Sequence, residues 1–249
     1  MERAVEKFAG QDEGRSVAAQ ALRGAEVSAR VRADVSRPAA SLVKLPLVSA
    51  VRATADLTTR VRREELHPTA YSSVLAVLEP GHELTVGELC GVCLATSDNP
   101  ASDYLLSLVG MKAVNERAAA LGAASTRMEV GFGDAELGTA ARANVTTADD
   151  ALAMVRRIVA EDAPAAHALA NSLRNNRIPL RLPDDARVPH KTGTLAGVVN
   201  DAGVVFGRET DLALAFLCDG QEDLAATSIE IGDCVAQIRA AVGEDFRAK

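Results

Sequence analysis

Strand-like segments lie near both ends of this chain, and the stretch between them is mainly helical. Residues 16–35 are strand-like, with apolar and polar side chains that alternate at period two over residues 27–35, and Gly24 is placed as a turn between two strands. Three further β-like runs cover residues 190–195, 203–206 and 212–217. The economical arrangement is an α/β (α+β) fold, in which one antiparallel sheet is built from both chain ends and flanked by helices.

The middle of the chain predicts an all-helical lobe. We expect one domain over residues 1–249, with an α/β lobe at about 1–48 and 186–249 and a helical lobe at about 49–185. A site would lie in the cleft between sheet and lobe. The predicted helices cover residues 1–9, the run from Ser41, and residues 85–96, 99 onward, 111–121, 147–161, 164–175 and 223–242.

Composition excludes several classes of function. The net charge is −7, with acidic and basic residues interspersed, which argues against nucleic acid or an anionic membrane as partner. The chain has no apolar run of about 18 residues, so a transmembrane helix is not expected. Its start, Met1 to Phe8, is charged and unlike a signal peptide. As written, the sequence predicts a cytoplasmic protein; the alternative is the mature form of an exported one.

The cysteines are predicted to be packing residues. Cys90 and Cys93 have the spacing of a zinc or redox motif, but Cys218 and Cys234 do not supply a second pair at similar spacing. Small thiols inside a helix-like stretch are commonly buried. We therefore expect no metal and no cofactor.

The tetrad Ser41-Leu42-Val43-Lys44 opens an apolar run that is typical of a buried helix. Residues three apart share a helix face, which would bring the Lys44 amine within reach of the Ser41 hydroxyl. Burial lowers the pKa of a lysine, so its neutral amine could take the serine proton. The alternative is a Ser41 helix cap followed by a solvated Lys44.

Two residue triplets lie at positions that could line such a cleft. Ser97-Asp98-Asn99 lies in a turn between helices, and Lys191-Thr192-Gly193 lies on a strand that could form one wall. A cation, hydroxyls and an unhindered glycine backbone suit recognition of an acyl substrate that bears a carboxylate. Taken singly, the first triplet is ordinary turn chemistry and the second an ordinary strand end.

Together and in this order, the three motifs resemble the signatures of class A β-lactamases and penicillin-binding proteins. The resemblance extends to residues 84–90 and 144–147 and covers about residues 40–220. It implies a serine that is acylated by a lactam carbonyl, a proton relay to the leaving nitrogen, and a bound substrate carboxylate. The residues implied for catalysis are Ser41, Lys44 and Ser97, and those implied for substrate binding are Asn99, Lys191, Thr192, Gly193 and Thr194.

The sequence departs from that family at two places. The family carries Arg-x-Glu followed four positions later by Asn, and its Glu activates the deacylating water; here Glu129 matches, but position 133 is Gly. If the loop is aligned differently with the family's pattern, Asp134 or Glu136 would activate the deacylating water. The family's arginine on the strand after the third motif is replaced by Asn200-Asp201. His190 is interpreted as structural.

The sequence thus predicts a serine hydrolase that opens β-lactam rings through a Ser41 acyl-enzyme. One alternative is a related enzyme acting on another amide, ester or peptide. Another is a relative that binds β-lactams without turnover. The expected partner is a small β-lactam or acyl-peptide-like substrate, with no nucleic acid and no membrane, and the expected state is a monomer.

Overall fold

A five-stranded antiparallel sheet forms the centre of the protein. The computed structural model describes residues 1–10, 12–23, 27–67, 73–133 and 140–243. The strands lie in the order β2-β1-β9-β8-β7, so both chain ends contribute, and the predicted sheet is confirmed. The sheet strands are β1 (Arg15–Ala21), β2 (Ser28–Val31), β7 (His190–Leu195), β8 (Val198–Val205) and β9 (Leu212–Cys218).

Seven α-helices surround this sheet in the described part of the chain. They are α1 (Glu2–Ala9), α2 (Lys44–Thr54), α3 (Val86–Thr96), α4 (Asn99–Ala120), α5 (Ala148–Glu161), α6 (Ala163–Ala170) and α7 (Leu224–Val242). Two short strand pairs join β3 (Arg37–Pro38) to β6 (Val145–Thr146) and β4 (Arg60–Arg62) to β5 (Glu83–Thr85). Short 3₁₀ helices cover Ala40–Val43, Arg63–Glu65, Val74–Val77, Ala140–Ala143 and Ile178–Arg181.

Some boundaries agree with the sequence prediction and others differ. The two helices expected over residues 99–121 are confirmed as two segments of α4, which are separated by a kink at Gly110, where the dihedral angles are non-helical (φ 73°, ψ 158°). Helix α6 ends at Ala170 rather than near 175, and β8 begins at Val198, five residues earlier than predicted. The predicted turn at Gly24 lies outside the described residues.

The two faces of the sheet contribute to different hydrophobic cores. Side chains alternate between the faces of a strand. Ala202 and Val204 therefore join the core of the helical lobe, whereas Val199 and Val205 join the core under α1 and α7. Helix α2 is buried over most of its length, as expected of a helix that is apolar all round. This burial places the start of α2, which carries Lys44, against the edge of the sheet.

All four cysteines are buried free thiols. Burial is the main cause that raises the pKa of Cys90, Cys218 and Cys234 to about 12, and such thiols are inert at neutral pH. They therefore pack in the two cores, and the packing role predicted for Cys90 and Cys93 is confirmed. None of the described helices combines the length and hydropathy needed to cross a membrane.

Candidate active site

Ser41 lies in a tight turn immediately before α2. It belongs to the 3₁₀ helix Ala40–Val43, so the α-helix begins at Lys44 rather than at the serine. Ala40 has a φ of 48°, a left-handed conformation that is uncommon for a residue with a side chain. Such strained residues cluster at functional sites. The turn presents the partly exposed Ser41 at the cleft while Lys44 remains buried.

Lys44 is fully buried, yet it has polar partners. Its Nζ donates to the Ser97 carbonyl oxygen at 2.6 Å and to Asn99 Oδ1 at 2.7 Å. A longer contact of 3.4 Å reaches Ser97 Oγ. Desolvation lowers the pKa of Lys44 to about 8, opposed by the charge of Asp98. Lys44 therefore meets the requirement for a base near neutral pH, although Ser41 is not among its hydrogen-bond partners in the described structure.

Ser97 joins the two lysines of the site. It connects α3 to α4 in a left-handed conformation, with φ 62°. Its Oγ accepts from Lys191 Nζ at 2.9 Å and from Lys44 at the longer distance given above. Because each lysine donates to this oxygen, the hydroxyl proton of Ser97 is left to point elsewhere. Ser97 is thus placed to pass a proton from the lysines to a group in the cleft.

The neighbouring Asp98 holds this turn in place. Its carboxylate accepts from Ser73 Oγ at 2.5 Å, from the Val74 backbone N–H at 3.1 Å and from the Ala101 N–H at 3.0 Å. The last contact caps the first turn of α4, which begins with Asn99 and Pro100. The second motif therefore contributes Ser97 and Asn99 to the site, whereas its aspartate is structural.

Strand β7 supplies the third motif. Lys191 is almost fully buried, and its Nζ also donates to the Thr192 carbonyl oxygen at 2.9 Å. Desolvation, followed by the positive charge of Lys44, lowers its pKa well below the usual value. A buried cation with a like charge close by is stabilised by an anion. The site therefore favours an anionic ligand beside Lys191.

Gly193 allows β7 to approach the turn that carries Ser41. A Cβ atom at position 193 would lie 3.0 Å from the Ala39 carbonyl oxygen, 3.0 Å from Ala40 Cβ and 3.2 Å from the Ser41 backbone nitrogen. These distances are too short for a side chain without movement of the backbone. The glycine thus brings the backbone of β7, with Thr194 following, beside the Ser41 N–H, as an oxyanion hole requires.

Arg177 is a site residue that the sequence reasoning missed. Its side chain is buried, and Nη1 donates to the carbonyl oxygens of Gly193 at 2.9 Å and Asn200 at 2.5 Å. Nη2 donates to Thr194 Oγ1 at 2.6 Å, while the buried Nε has no partner among the described atoms. No local pattern marks this arginine, which lies in a polar run that is typical of a surface loop. It provides a positive charge beside β7, next to the position on β8 where the resemblance implied an arginine.

Asn200 and Asp201, which stand where the resemblance implied an arginine, have structural roles. Asn200 Nδ2 donates to the Pro38 carbonyl oxygen at 2.8 Å, so it holds the segment before Ser41. Asp201 accepts from the Ile178 N–H at 3.0 Å and lies 2.9 Å from His190 Nδ1. Both residues are fully buried. His190 is structural in this arrangement, as predicted.

The loop that contains Glu129 is held by Asn144. The side-chain oxygen of Asn144 accepts from the N–H groups of Glu129 at 2.8 Å and Val130 at 3.0 Å. The Glu129 side chain is exposed, and within the described residues it forms no ion pair or side-chain hydrogen bond. Three residues further along this loop, the centre of the Phe132 ring lies 4.9 Å from Lys44 Nζ. Asp134 and Glu136 lie outside the described residues.

The structure therefore brings together most of the predicted site residues. Hydrogen bonds join Lys44, Ser97, Asn99 and Lys191, while the close approach at Gly193 adds the Ser41 turn. Thr192 and Thr194 follow on the same strand. Glu129 is the exception, because no described contact links its carboxylate to this group.

Known proteins are similar to this chain in sequence and in fold. The profile of the beta-lactamase enzyme family matches residues 1–241. A beta-lactamase of Streptomyces fradiae is 33% identical over 196 residues, which cover 70% of this chain and 63% of that protein. The chain thus spans less than two thirds of that relative. A beta-lactamase structure from Sphaerobacter thermophilus is 29% identical, with a TM-score of 0.82 over 97% of this chain and 95% of that one.

A second solved structure is similar in fold at lower identity. PBP-A, in a mutant form described as an acyl-enzyme complex with penicillin G, is 19% identical. Its TM-score is 0.82, over 97% of this chain and 95% of that one. The profile match extends over almost the whole sequence, and the three motifs on which the resemblance rests meet at one site. The chain therefore belongs to the beta-lactamase enzyme family.

Proposed function

We propose that the protein is a serine β-lactamase that hydrolyses the lactam amide through an acyl-enzyme on Ser41. The observation that carries this proposal is the position of the Ser97 hydroxyl, which accepts hydrogen bonds from Lys44 and Lys191 beside the Ser41 turn. An arrangement of this kind can collect the proton from a nucleophile and deliver it to a leaving nitrogen.

In the proposed acylation step, Ser41 Oγ attacks the lactam carbonyl carbon and its proton passes to the neutral Lys44 amine. The C–N bond then breaks, and the leaving nitrogen takes the proton of the Ser97 hydroxyl. Ser97 recovers a proton from the lysines that donate to it. The backbone N–H groups of Ser41 and Thr194 would stabilise the oxyanion.

The substrate carboxylate is proposed to bind along β7. Lys191 offers the charge, and Thr192 and Thr194 offer hydroxyl groups. Because Thr194 Oγ1 already accepts from Arg177 at 2.6 Å, its own proton is free to be donated to a carboxylate. Arg177 is thus a positioning residue, which orients Thr194 and adds positive charge to the wall. This arrangement would replace the arginine that is absent from β8, where Asn200 and Asp201 stand.

For deacylation we propose Glu129 as the general base that activates water. The support is its match to the Arg-x-Glu pattern and the fixed backbone of its loop, which Asn144 holds. Its exposed side chain would have to turn toward the cleft in the acyl-enzyme. Water then attacks the ester, Ser41 recovers its proton, and the ring-opened acid leaves.

Glu129→Gln should separate the two halves of the reaction. We expect an unchanged acylation burst and a steady-state turnover reduced by about 10²-fold or more, because only the second step needs this base. Rapid-quench mass measurement should show the acyl-enzyme accumulating on Ser41. Glu116→Gln, an exposed change on α4, is the matched control. Turnover unchanged in Glu129→Gln would assign the deacylating base to another group.

The proposed function is tested by mixing the protein with a chromogenic cephalosporin and following absorbance and intact mass together. Repeated turnover with a transient adduct on Ser41 is the expected result. A stoichiometric burst with a retained adduct would instead favour an acyltransferase or a binding protein without turnover. Neither reaction nor adduct would contradict the assignment of β-lactams as substrates.

A further inference from the structure

Arg174 lies in a segment that bridges two walls of the candidate site. On one side, the Leu173 N–H donates to the Ala95 carbonyl oxygen at 3.1 Å, two residues before Ser97. On the other side, Asn175 Oδ1 lies 3.1 Å from His190 Nε2, next to Lys191 on β7. The residue between these two anchors is Arg174. Its backbone is therefore fixed between the Ser97 turn and β7.

The Arg174 side chain is exposed, and within the described residues its guanidinium has neither an ion-pair nor a hydrogen-bond partner. Some exposed arginines elsewhere are paired, as Arg181 is with Asp233 at 2.7 Å. Arg3 on α1 is exposed and likewise has no partner among the described residues, but it lies on the other face of the sheet. An exposed guanidinium between the Ser97 turn and β7 is available to a charge on a bound molecule.

The charges around the cleft are unbalanced. Two negatively charged side chains attract the cations of the site: Asp98 acts on Lys44, and Asp201 acts on Lys191 and Arg177. Each is already engaged, Asp98 by Ser73 and Asp201 by His190. Desolvation is the main cause that lowers the pKa of Lys44 and of Lys191, and the charge of Arg174 lowers both further. The cations near the site are Lys191, Arg174 and Arg177, and Lys44 adds a further positive charge when its amine is protonated.

The proposed function also indicates which half of the substrate lies near Arg174. Ser97 protonates the leaving nitrogen, and β7 holds the carboxylate next to that nitrogen. The leaving-amine half of the substrate therefore lies over Ser97 and β7, the two elements that the Arg174 segment joins. In a cephalosporin this half carries the substituent at C3 of the dihydrothiazine ring. The carboxylate of the same ring is held by Lys191 and β7, so the exposed charge of Arg174 remains to act on the C3 substituent.

We infer that Arg174 is a specificity residue that selects substrates by the charge of the substituent on the leaving-amine half, favouring anionic over cationic groups. This inference rests on the proposed function, because it uses the orientation of a lactam on Ser41. Arg174 acts by long-range attraction or repulsion and is not part of the proton relay. At separations of several ångströms in a solvated cleft, one unit charge changes relative rates by about three- to tenfold.

The test compares three cephalosporins with the same thienylacetyl side chain and different C3 groups. One carries a pyridiniummethyl cation, one a neutral acetoxymethyl group and one a carboxylate-bearing thiomethyl group. We expect kcat/KM to rise in that order for the unmodified protein. Arg174→Gln should raise the ratio of the cationic to the anionic substrate by about three- to tenfold, and Arg174→Glu should raise it further. The difference should shrink at high ionic strength because the charges are exposed to solvent.

Two further variants identify the cause of the change. Arg174→Lys keeps the charge and should keep the order of substrates. Arg3→Gln removes one positive charge from α1, which packs on the other face of the sheet, and should leave the ratio unchanged. The inference is overturned by an unchanged ratio in Arg174→Gln, by a similar shift in Arg3→Gln, or by loss of the order in Arg174→Lys.

The proposed function can fail separately from this inference. If cephalosporins acylate the protein without turnover, the same ratios are measured as acylation rate constants by intact mass. If none of the three cephalosporins reacts with the unmodified protein, the β-lactam assignment fails and the inference fails with it. If the cephalosporins acylate the protein but the ratios of their rate constants do not depend on residue 174, the inference is overturned and the proposed function stands.

Discussion

Ser41→Ala should abolish covalent labelling of the protein by β-lactams and reduce hydrolysis by about 10⁴-fold or more, because no other group then forms the ester. The change removes one oxygen from a partly exposed turn, so the fold should be retained. The close approach of β7 to that turn at Gly193 should also remain, because it depends on the backbone of the turn. Intact mass after incubation with benzylpenicillin measures the labelling directly.

Alanine substitutions of two other serines show whether the loss of labelling is specific to Ser41. Ser107→Ala removes an exposed hydroxyl on α4 that donates to the Tyr104 carbonyl oxygen, and it should label as the unmodified protein does. Ser97→Ala keeps the nucleophile but removes the proton relay, so labelling should still occur at position 41, at a slower rate. A label that persists in Ser41→Ala would reject this serine as the nucleophile, and peptide mapping would then locate the true one.

The main elements of the fold could be predicted because their sequence patterns are local. The period-two alternation before residue 35 and the apolar runs near the end predicted the sheet, since alternate residues of a half-buried strand must differ. The run Thr147-Ala148-Asp149-Asp150 predicted a helix start with Thr146 or Thr147 as its cap, and the Thr147 side chain accepts from the Asp150 N–H at 3.1 Å. Separate helices before and after Gly110 were also predicted, and the non-helical angles of this glycine divide α4 at that position.

The candidate site was predicted from its motifs, and what was missed depends on contacts distant in sequence. Nothing near Arg177 indicates that it reaches the Gly193 carbonyl oxygen, because that contact forms only when two segments pack together. The 3₁₀ turn at Ser41 was also missed, since alanines before the serine favour a regular helix. Its strained Ala40 is stabilised by tertiary contacts, among them the close approach of β7.

Lys44→Met should slow acylation of Ser41 by about 10²- to 10⁴-fold, the usual contribution of a general base. The methionine side chain is of similar length and apolar, so it can occupy the buried position, although the Ser97 carbonyl oxygen and Asn99 Oδ1 lose a donor. Thermal unfolding measures that structural cost separately from the rate. Lys112→Met, at an exposed position on α4, is the matched control and should acylate normally.

The pH profile distinguishes a missing base from a damaged site. Burial lowers the pKa of Lys44 to about 8, and only the neutral amine can accept the Ser41 proton. A neutral amine can still donate its two hydrogens to Ser97 and Asn99, which leaves its lone pair for that proton. The acylation rate of the unmodified protein should therefore rise with pH and level off above about 8. Lys44→Met should lose this inflection. If the mutant keeps it, the base is another group; if the mutant acylates at the normal rate, Lys44 is only a structural cation.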